Sequence, residues 1–212
     1  FIFNWVLGCL MSYYDPIKVI FFGRIISYVL ISYSYIQLRK SINLNFILSI
    51  SSYFIFLYFF QNGIGDAGEW IVGGLESKVI AYAFAILSLA SFLQKRYKFG
   101  FVFSGLSLSI HLLVGGYNLF CLMPLLILIS IKERDEFINI LRSSLYFLTT
   151  GFIGIFETIT FLFSNNTKLI QEKGWDIYVN IRVPHHVLPD FSAATWKVLI
   201  ILTIVNVLYL NN

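Results

Sequence analysis

The chain alternates between long apolar runs and short charged breaks. After a first apolar run over residues 1–14, further runs cover residues 17–38, 44–60, 78–94, 99–114, 119–131, 137–163 and 196–210. A helix that crosses the hydrocarbon core of a bilayer needs roughly 20 apolar residues, and fewer where protein covers its ends. The pattern therefore predicts an all-α chain, a polytopic transmembrane helical bundle with about seven membrane-associated helices. The first run is either a truncated span or an interfacial helix.

The composition excludes other classes of protein. Of the 212 residues, 58% are hydrophobic and 12% are charged, whereas a globular domain has roughly 45–50% and about 25%. A soluble fold of this length cannot bury so much apolar surface, and a disordered chain lacks the aromatic residues that make up 18% of this one. The net charge of +4 does not indicate nucleic-acid binding, because basic residues in a membrane chain chiefly report its orientation. We predict an integral membrane protein with membrane lipid as a partner and no nucleic-acid partner.

The domain organisation follows from the same pattern. We predict a single membrane domain over residues 1–212, in which residues 61–77 and 164–195 are extracytoplasmic loops. The chain starts at Phe1 without a methionine and stops soon after an apolar run, so we interpret it as an internal segment of a longer protein. The two cysteines, Cys9 and Cys121, lie in apolar runs and show neither metal-ligand spacing nor a disulfide framework.

The charged breaks predict the orientation of the chain in the membrane. Those after residues 38, 94 and 131 hold eight basic residues, including nearby Arg142, and three acidic ones. Basic connections stay in the cytoplasm, so the alternate connections are extracytoplasmic. The reactive polar residues then gather on the extracytoplasmic face: Asp66, Glu69, Glu76, Lys78, His111, Glu157, Arg182, His185 and His186.

The connection over residues 61–77 is rich in glycine and in carboxylates. Asp66 and Glu69 are close enough in sequence to bind a divalent cation, or to serve as substrate-binding groups or general bases. The alternative is a solvated acidic turn. Glu76 and Lys78 follow at the entry to the next helix, where they can contribute to a site, pair with each other, or flank the first helical turn.

A stripe of small residues leads to a histidine in the run 99–114. Gly100, Ser104, Ser107, His111 and Gly115 are spaced by three or four residues, which predicts that they share one helical face. Small residues allow helices to approach closely in lipid, so one interpretation is a helix–helix seam that satisfies the histidine. The other places His111 in a cavity that opens outward, below a turn at residues 115–118.

Two further features are candidates for function. Glu157 is the only carboxylate deep inside an apolar run, where an ionisable residue is a functional candidate or else bonds to a neighbouring helix or stays protonated. Arg182, His185 and His186 lie in a segment that also contains Pro184 and Pro189. The two prolines favour an extended backbone in this segment. Arg182 suits a phosphate or carboxylate, and histidine can act as a base or as a metal ligand. The alternative is a surface loop with incidental histidines.

Three short strings carry a family resemblance: Gly-Gly-Leu-Glu-Ser-Lys over residues 73–78, Ser-Ile-His-Leu-Leu-Val-Gly-Gly over residues 109–116, and Arg-Val-Pro-His-His over residues 182–186. The chain resembles a set of uncharacterised bacterial multi-pass membrane proteins, which are themselves similar to membrane glycosyltransferases of the GT-C type. The resemblance implies an enzyme of the bacterial cell envelope, in the inner (plasma) membrane, that takes a sugar from a polyprenyl-phosphate-linked donor at the extracytoplasmic face.

The resemblance also implies a catalytic Asp or Glu in the first extracytoplasmic loop, which we expect before Phe1. By the chemistry of their side chains, Lys78 and Arg182 suit the donor phosphate. A set of further residues suits acceptor binding, a metal or proton transfer: Asp66, Glu76, His111, His185 and His186. Two alternatives are a transporter or flippase for an anionic or sugar-like solute, with His111 and Glu157 lining its path, and a non-catalytic subunit of an envelope assembly complex.

Overall fold

The computed structural model describes residues 2–61 and 75–163, which form seven helices and no strand. The helices are α1 (Ile2–Tyr13), α2 (Pro16–Ser41), α3 (Phe46–Gln61), α4 (Ser77–Leu93), α5 (Tyr97–Ile110), α6 (Leu112–Lys132) and α7 (Arg134–Leu162). The all-helical prediction is confirmed for these residues. Three segments are long and apolar enough to cross a membrane, namely Pro16–Ser41, Leu112–Lys132 and Arg134–Thr160. The run predicted over residues 196–210 lies outside the described residues.

The chain divides into two compact units. The first consists of residues 1–53 and 73–163, and the second of residues 54–72 and 164–212. Of the second unit, only the end of α3 belongs to the described residues. The loop predicted over residues 164–195 and most of the one over residues 61–77 lie outside the described part of the chain, so they stay predictions.

Local signals in the sequence determine where α2 and α3 begin. The Asp15 side chain accepts a hydrogen bond from the backbone N–H of Ile17 (2.8 Å), and Pro16 occupies the first helical position, where no backbone donor is needed. The Asn45 side chain caps α3 in the same way by accepting from the N–H of Leu48 (2.8 Å). At the other end of α2, Arg39 and Lys40 lie in the last turn, where positive charge is favourable.

Helix α5 packs against α4 through buried serines. The Ser88 hydroxyl donates to the carbonyl oxygen of Gly100 (2.9 Å) and shares a hydrogen bond with Ser104 (2.7 Å). The Ser107 hydroxyl donates to the carbonyl oxygen of Ala81 (2.9 Å). The two helices are antiparallel, because a later residue of α5 contacts an earlier residue of α4. All three serines are fully buried, and hydroxyls of this kind join helices in an apolar medium.

Helix α5 packs even more closely against α7. A Cβ atom added at Gly105 would lie 2.7 Å from the backbone nitrogen of Gly151, and one added at Gly154 would lie 2.7 Å from the carbonyl oxygen of Leu108. The Ser109 hydroxyl donates to the carbonyl oxygen of Thr150 (2.8 Å). These two helices are parallel, since Leu108 follows Gly105 just as Gly154 follows Gly151. We call the α4–α5 and α5–α7 contacts through these residues the small-residue seam.

The boundary between α5 and α6 differs from the prediction. The sequence predicted one run to residue 114 and a turn at residues 115–118, but the chain breaks at His111, and residues 115–118 are helical. His111 has an extended backbone (φ −149°, ψ 108°), and its side chain caps the new helix. Gly115 is not a turn residue: it lets α6 approach α5 so closely that an added Cβ atom would overlap the backbone of Leu108.

Helix α2 is parallel to α4 and also contacts α3. Gly23 faces Leu75 just before α4 begins, and Gln37 and Gln94, near the ends of the two helices, line one cavity. Ser32 and Tyr53 share a hydrogen bond (2.8 Å) that joins α2 to α3. Two ends of this packing can be distinguished. At the His111 end α4 begins and α5 ends, and at the basic end α2 and α4 end and α5 begins.

Large apolar side chains cover much of the outer surface. On α7, for example, Leu145, Phe152 and Phe156 are all exposed, and on α2 Phe21 and Phe22 are exposed. Exposed apolar surfaces of this extent are typical of proteins that contact lipid or a partner, because exposing them to water is unfavourable and soluble monomers rarely do so. The outward face of the described helices therefore agrees with an integral membrane protein.

Candidate functional site

Glu76 and Lys78 form an ion pair where α4 begins. The distance from Lys78 Nζ to Glu76 Oε2 is 3.2 Å, and the exposed fractions of the two side chains are 16% and 42%. Glu76 occupies the N-cap position with an extended backbone (φ −133°, ψ 152°) and makes no capping hydrogen bond with its side chain. A lysine near a helix N-terminus is electrostatically unfavourable, so the adjacent carboxylate offsets its charge. Pairing, one of the alternatives from the sequence, is present.

His111 connects α5 to α6 and is half-buried. Its Nδ1 atom accepts a hydrogen bond from the backbone N–H of Val114 (3.3 Å), so the neutral ring carries its proton on Nε2. The Ala81 side chain packs with Ile110 and Val114 on either side of the histidine, which brings this junction to the first turns of α4. His111 is therefore held at the same end of the helices as Glu76 and Lys78.

Glu157 lies one helical turn beyond Gly154 on α7 and is half-buried. Because Gly154 contacts Leu108, and α5 and α7 are parallel, Glu157 lies at the level where α5 ends. The structure thus brings four of the candidate residues to the His111 end: Glu76, Lys78, His111 and Glu157.

The small residues that precede His111 have a structural role. Ser104 and Ser107 bond to α4, and Gly100 faces the ring of Phe92. Gly115, predicted to share their helical face, belongs to α6. The interpretation of the stripe as a helix–helix seam therefore holds for these serines, and His111 lies at its end.

The remaining candidates lie outside the described residues: Asp66, Glu69, Arg182, His185 and His186. Within residues 2–61 and 75–163, no three His, Cys, Asp or Glu side chains come together as metal ligands. A divalent-cation site would need at least one of the other residues, and it stays a prediction.

Arg24 was not singled out from the sequence. It lies in the apolar run of α2 and is exposed, although its neighbour Gly23 packs on Leu75 beside Glu76. Among the residues that the structure describes, Arg24 has no hydrogen-bond or ion-pair partner. The signal was available, because a basic residue inside an apolar run is costly in lipid and is a functional candidate. Arg24 adds a free cation to the His111 end.

A cavity of about 620 Å³ opens between α1 and α2. Its walls are apolar side chains such as Leu7, Leu10 and Val19, and its polar lining includes Asp15 and Lys18 at the start of α2. Leu75 and Ile80, which flank the Glu76–Lys78 pair in sequence, complete the wall. An apolar cavity with a few charged groups at one end has the shape and polarity that an amphiphilic ligand requires.

Comparison with known proteins gives no relative: no protein-family model, no curated protein and no solved structure matches this chain. The chemistry of the His111 end must therefore be inferred from its own residues.

Proposed function

We propose that this chain belongs to a polytopic membrane protein of the bacterial inner membrane, with about seven membrane helices, that transfers a sugar from a polyprenyl-phosphate donor. In this proposal the basic end is cytoplasmic by the positive-inside rule, so the His111 end faces the extracytoplasmic side. The family resemblance supplies the class of reaction. The geometry of the His111 end supplies the support from the chain itself.

One observation carries the proposal. The wall of the α1–α2 cavity includes Leu75 and Ile80, so an apolar cavity adjoins the Glu76–Lys78 ion pair. A lipid-linked donor combines a long apolar chain with a phosphate, and the cavity with its neighbouring cations offers surfaces for both parts. In this proposal the phosphate is bound by basic residues of the described chain at this end of the helices: Lys18, Arg24 and Lys78, of which Lys78 also pairs with Glu76.

The reaction assigns a role to each group. An acceptor hydroxyl attacks the anomeric carbon of the sugar, the bond from that carbon to the phosphate oxygen breaks, and polyprenyl phosphate leaves with the electron pair. A general base takes the hydroxyl proton, and a carboxylate or a histidine can do this. Glu76 and His111 are the described candidates, with His185 and His186 as further candidates. Cations beside the leaving phosphate stabilise the charge that develops on it.

A transporter would need a polar path from the His111 end to the basic end. Within the described part of the chain, the buried polar side chains are eight serines. Ser27, Ser34 and Ser91 each donate to a carbonyl oxygen of their own helix. Ser88, Ser104 and Ser107 each bond to a neighbouring helix. Hydroxyls used in this way hold helices together instead of lining a path. The described geometry therefore favours the transferase over the transporter.

The test compares two carboxylates that each pair with a lysine, one at either end. Glu76→Gln in the full-length protein should lower sugar transfer from a polyprenyl-phosphate donor by about a hundredfold, because a general base contributes at least that much. The control is Glu133→Gln at the basic end, where Glu133 pairs with Lys95, and it should leave transfer unchanged. His185→Ala and His186→Ala complete the series.

Melting temperatures would establish that each variant is folded. A folded Glu76→Gln variant with wild-type transfer would remove Glu76 from the mechanism. If the wild-type protein transferred no sugar from any polyprenyl-phosphate donor, the proposed reaction itself would be wrong.

A further inference from the structure

A second cavity, of about 190 Å³, lies between α2, α4 and α5 at the basic end. It is lined by the polar side chains of Gln37, Gln94 and Arg96, with Ser91 deeper between the helices. Aromatic rings, including Phe99 and Phe103, form another part of its wall. This cavity is smaller and more polar than the α1–α2 cavity and lies at the opposite end of the helices.

Arg96 is the cation at this cavity that remains available. Its neighbour Lys95 pairs with Glu133 (2.5 Å), Lys98 Nζ lies 4.6 Å from the centre of the Tyr146 ring, and Arg39 donates to the carbonyl oxygen of Leu44 (3.1 Å). Arg96 has no such partner within the part of the chain that the structure describes. An exposed guanidinium at a cavity with two amide side chains offers several donors to one anion.

The surroundings specify the kind of anion. The connections at this end, together with nearby Arg142, carry eight basic and three acidic residues, and this excess of positive charge attracts anions. Tyr33 and Phe99 line the cavity and are more than half exposed, with Phe99 at 54%, so apolar surface continues outward from the polar lining. A free anion would gain nothing from contact with that apolar surface. A lipid can place its headgroup in the cavity and its acyl chain across the aromatic rings.

We propose that the cavity between α2, α4 and α5 binds the phosphate headgroup of an anionic membrane lipid, with Arg96 as its principal contact. Basic pockets between membrane helices are suited to such headgroups. Gln37 and Gln94 donate further hydrogen bonds to the phosphate from their amide groups, and Phe99 contacts the acyl chain of the lipid. This lipid site does not depend on the sugar-transfer reaction, because it lies at the other end of the helices.

The experiment measures binding of phosphatidylglycerol to the delipidated full-length protein by native mass spectrometry. We expect one tightly held phosphatidylglycerol per chain and much weaker binding of phosphatidylcholine, whose net charge is zero. Arg96→Gln should weaken the binding of phosphatidylglycerol by about tenfold or more, because a charge-assisted contact is lost. The matched control, Lys132→Gln, removes a basic residue of the same end that does not line the cavity, and it should bind as the wild type does.

A second variant keeps the test decisive if Arg96→Gln fails to fold. Gln37→Glu puts a carboxylate into the cavity, where it can pair with Arg96 and exclude the phosphate without loss of packing, so it should also abolish tight binding. Equal losses in Arg96→Gln and Lys132→Gln would show that only the diffuse charge of this end attracts lipid. Wild-type binding by Gln37→Glu, or displacement of the lipid by an equal concentration of inorganic phosphate, would also overturn the proposal.

Discussion

Helices α5 and α7 meet very differently from helices α1 and α2. Both pairs are apolar, but α5 and α7 touch through glycines and hydroxyls, with Gly105 against the backbone of Gly151. Between α1 and α2 the facing residues are large, a cavity of about 620 Å³ remains, and no residue of α1 is buried. In an apolar medium, small residues let helices close together, because hydrophobic burial cannot drive association there. Large residues hold the other pair apart.

The two kinds of helix contact have different roles: one is structural and the other leaves room for a ligand. The small-residue seam is a rigid scaffold that fixes where α4 begins and where α5 ends, and so fixes the level of Glu76, Lys78 and His111. The open α1–α2 pair lies beside that level, with Gly23 against Leu75, and leaves space for a ligand. Substitutions in the seam should therefore affect stability, while substitutions in the cavity should affect binding.

The largest difference in stability between the two helix contacts is expected when a single methyl group is added to each. Gly105→Ala should lower the free energy of unfolding by roughly 3 kcal/mol, because the new Cβ atom would lie 2.7 Å from the Gly151 nitrogen and 2.8 Å from the Phe147 oxygen. Gly8→Ala in α1 meets nothing within 4 Å and should be neutral or gain up to about 1 kcal/mol from helix propensity. Thermal unfolding in detergent measures both. Equal effects would show that the two helix contacts are packed alike.

A smaller effect is expected from removing one hydroxyl in each region. Ser104→Ala removes the partner of both Ser88 and the Asn118 side-chain amide (3.1 Å), and should cost about 1 kcal/mol, as is usual for hydrogen bonds between membrane helices. Ser12→Ala on α1 removes only a bond to the Cys9 carbonyl oxygen of its own helix and should cost almost nothing. A double-mutant cycle with Ser88→Ala checks the pairing, since additive losses would mean that the two serines do not stabilise each other.

The smallest effect is expected at the ion pair between Lys95, which connects α4 to α5, and Glu133, which connects α6 to α7. The hydrogen bond to Glu133 raises the pKa of Lys95 above its ordinary value of 10.5. A raised pKa means that the pair stabilises the fold below about pH 10.5 and that this contribution disappears as the pH rises through the pKa of the folded state. Lys95 is exposed, so the contribution is small and salt weakens it.

Melting temperatures of the wild type and Lys95→Met test this at two pH values and two salt concentrations. A slight decrease in the variant should be measurable at pH 7.5 in low salt, should vanish in 0.5 M salt, and should be smaller at pH 11 than at pH 7.5. A large difference that survives both changes would mean that this exposed pair, and not the small-residue seam, holds the scaffold together.

The sequence predicted the helices better than their contacts. The predicted runs for α2, α3, α4 and α7 end within a few residues of the helices, since apolar length and charged breaks determine them. The break at His111 was missed because Gly115 and Gly116 suggested a turn, whereas Gly115 serves the close approach of α6 to Leu108. A single histidine that caps a helix does not change the hydrophobic pattern of an apolar run, so the sequence does not reveal the break.

The candidate site was accessible from the sequence only in part. Pairing of Glu76 with Lys78 was one of the alternatives, since two residues of opposite charge flank a helix start. Arg24 could have been found as a basic residue well inside the apolar run over residues 17–38, whose other basic residue, Lys18, lies at its start. The α1–α2 cavity could not, because it depends on the angle between two helices, and hydrophobic pattern carries no information about that angle. Its position beside Glu76 follows from the contact between Gly23 and Leu75.

The most direct measurement is photo-cross-linking of the full-length protein in its membrane with a polyprenyl phosphate that carries a diazirine in the lipid chain. Label should map to peptides of α1 and the start of α2, between Phe3 and Ile26, and an excess of unlabelled polyprenyl phosphate should suppress it. The comparison surface is the apolar groove of about 480 Å³ between α6 and α7, which Met123 and Leu141 help to line. Label in that groove, or label in α1 and α2 that the competitor leaves unchanged, would contradict a lipid-linked donor in the α1–α2 cavity.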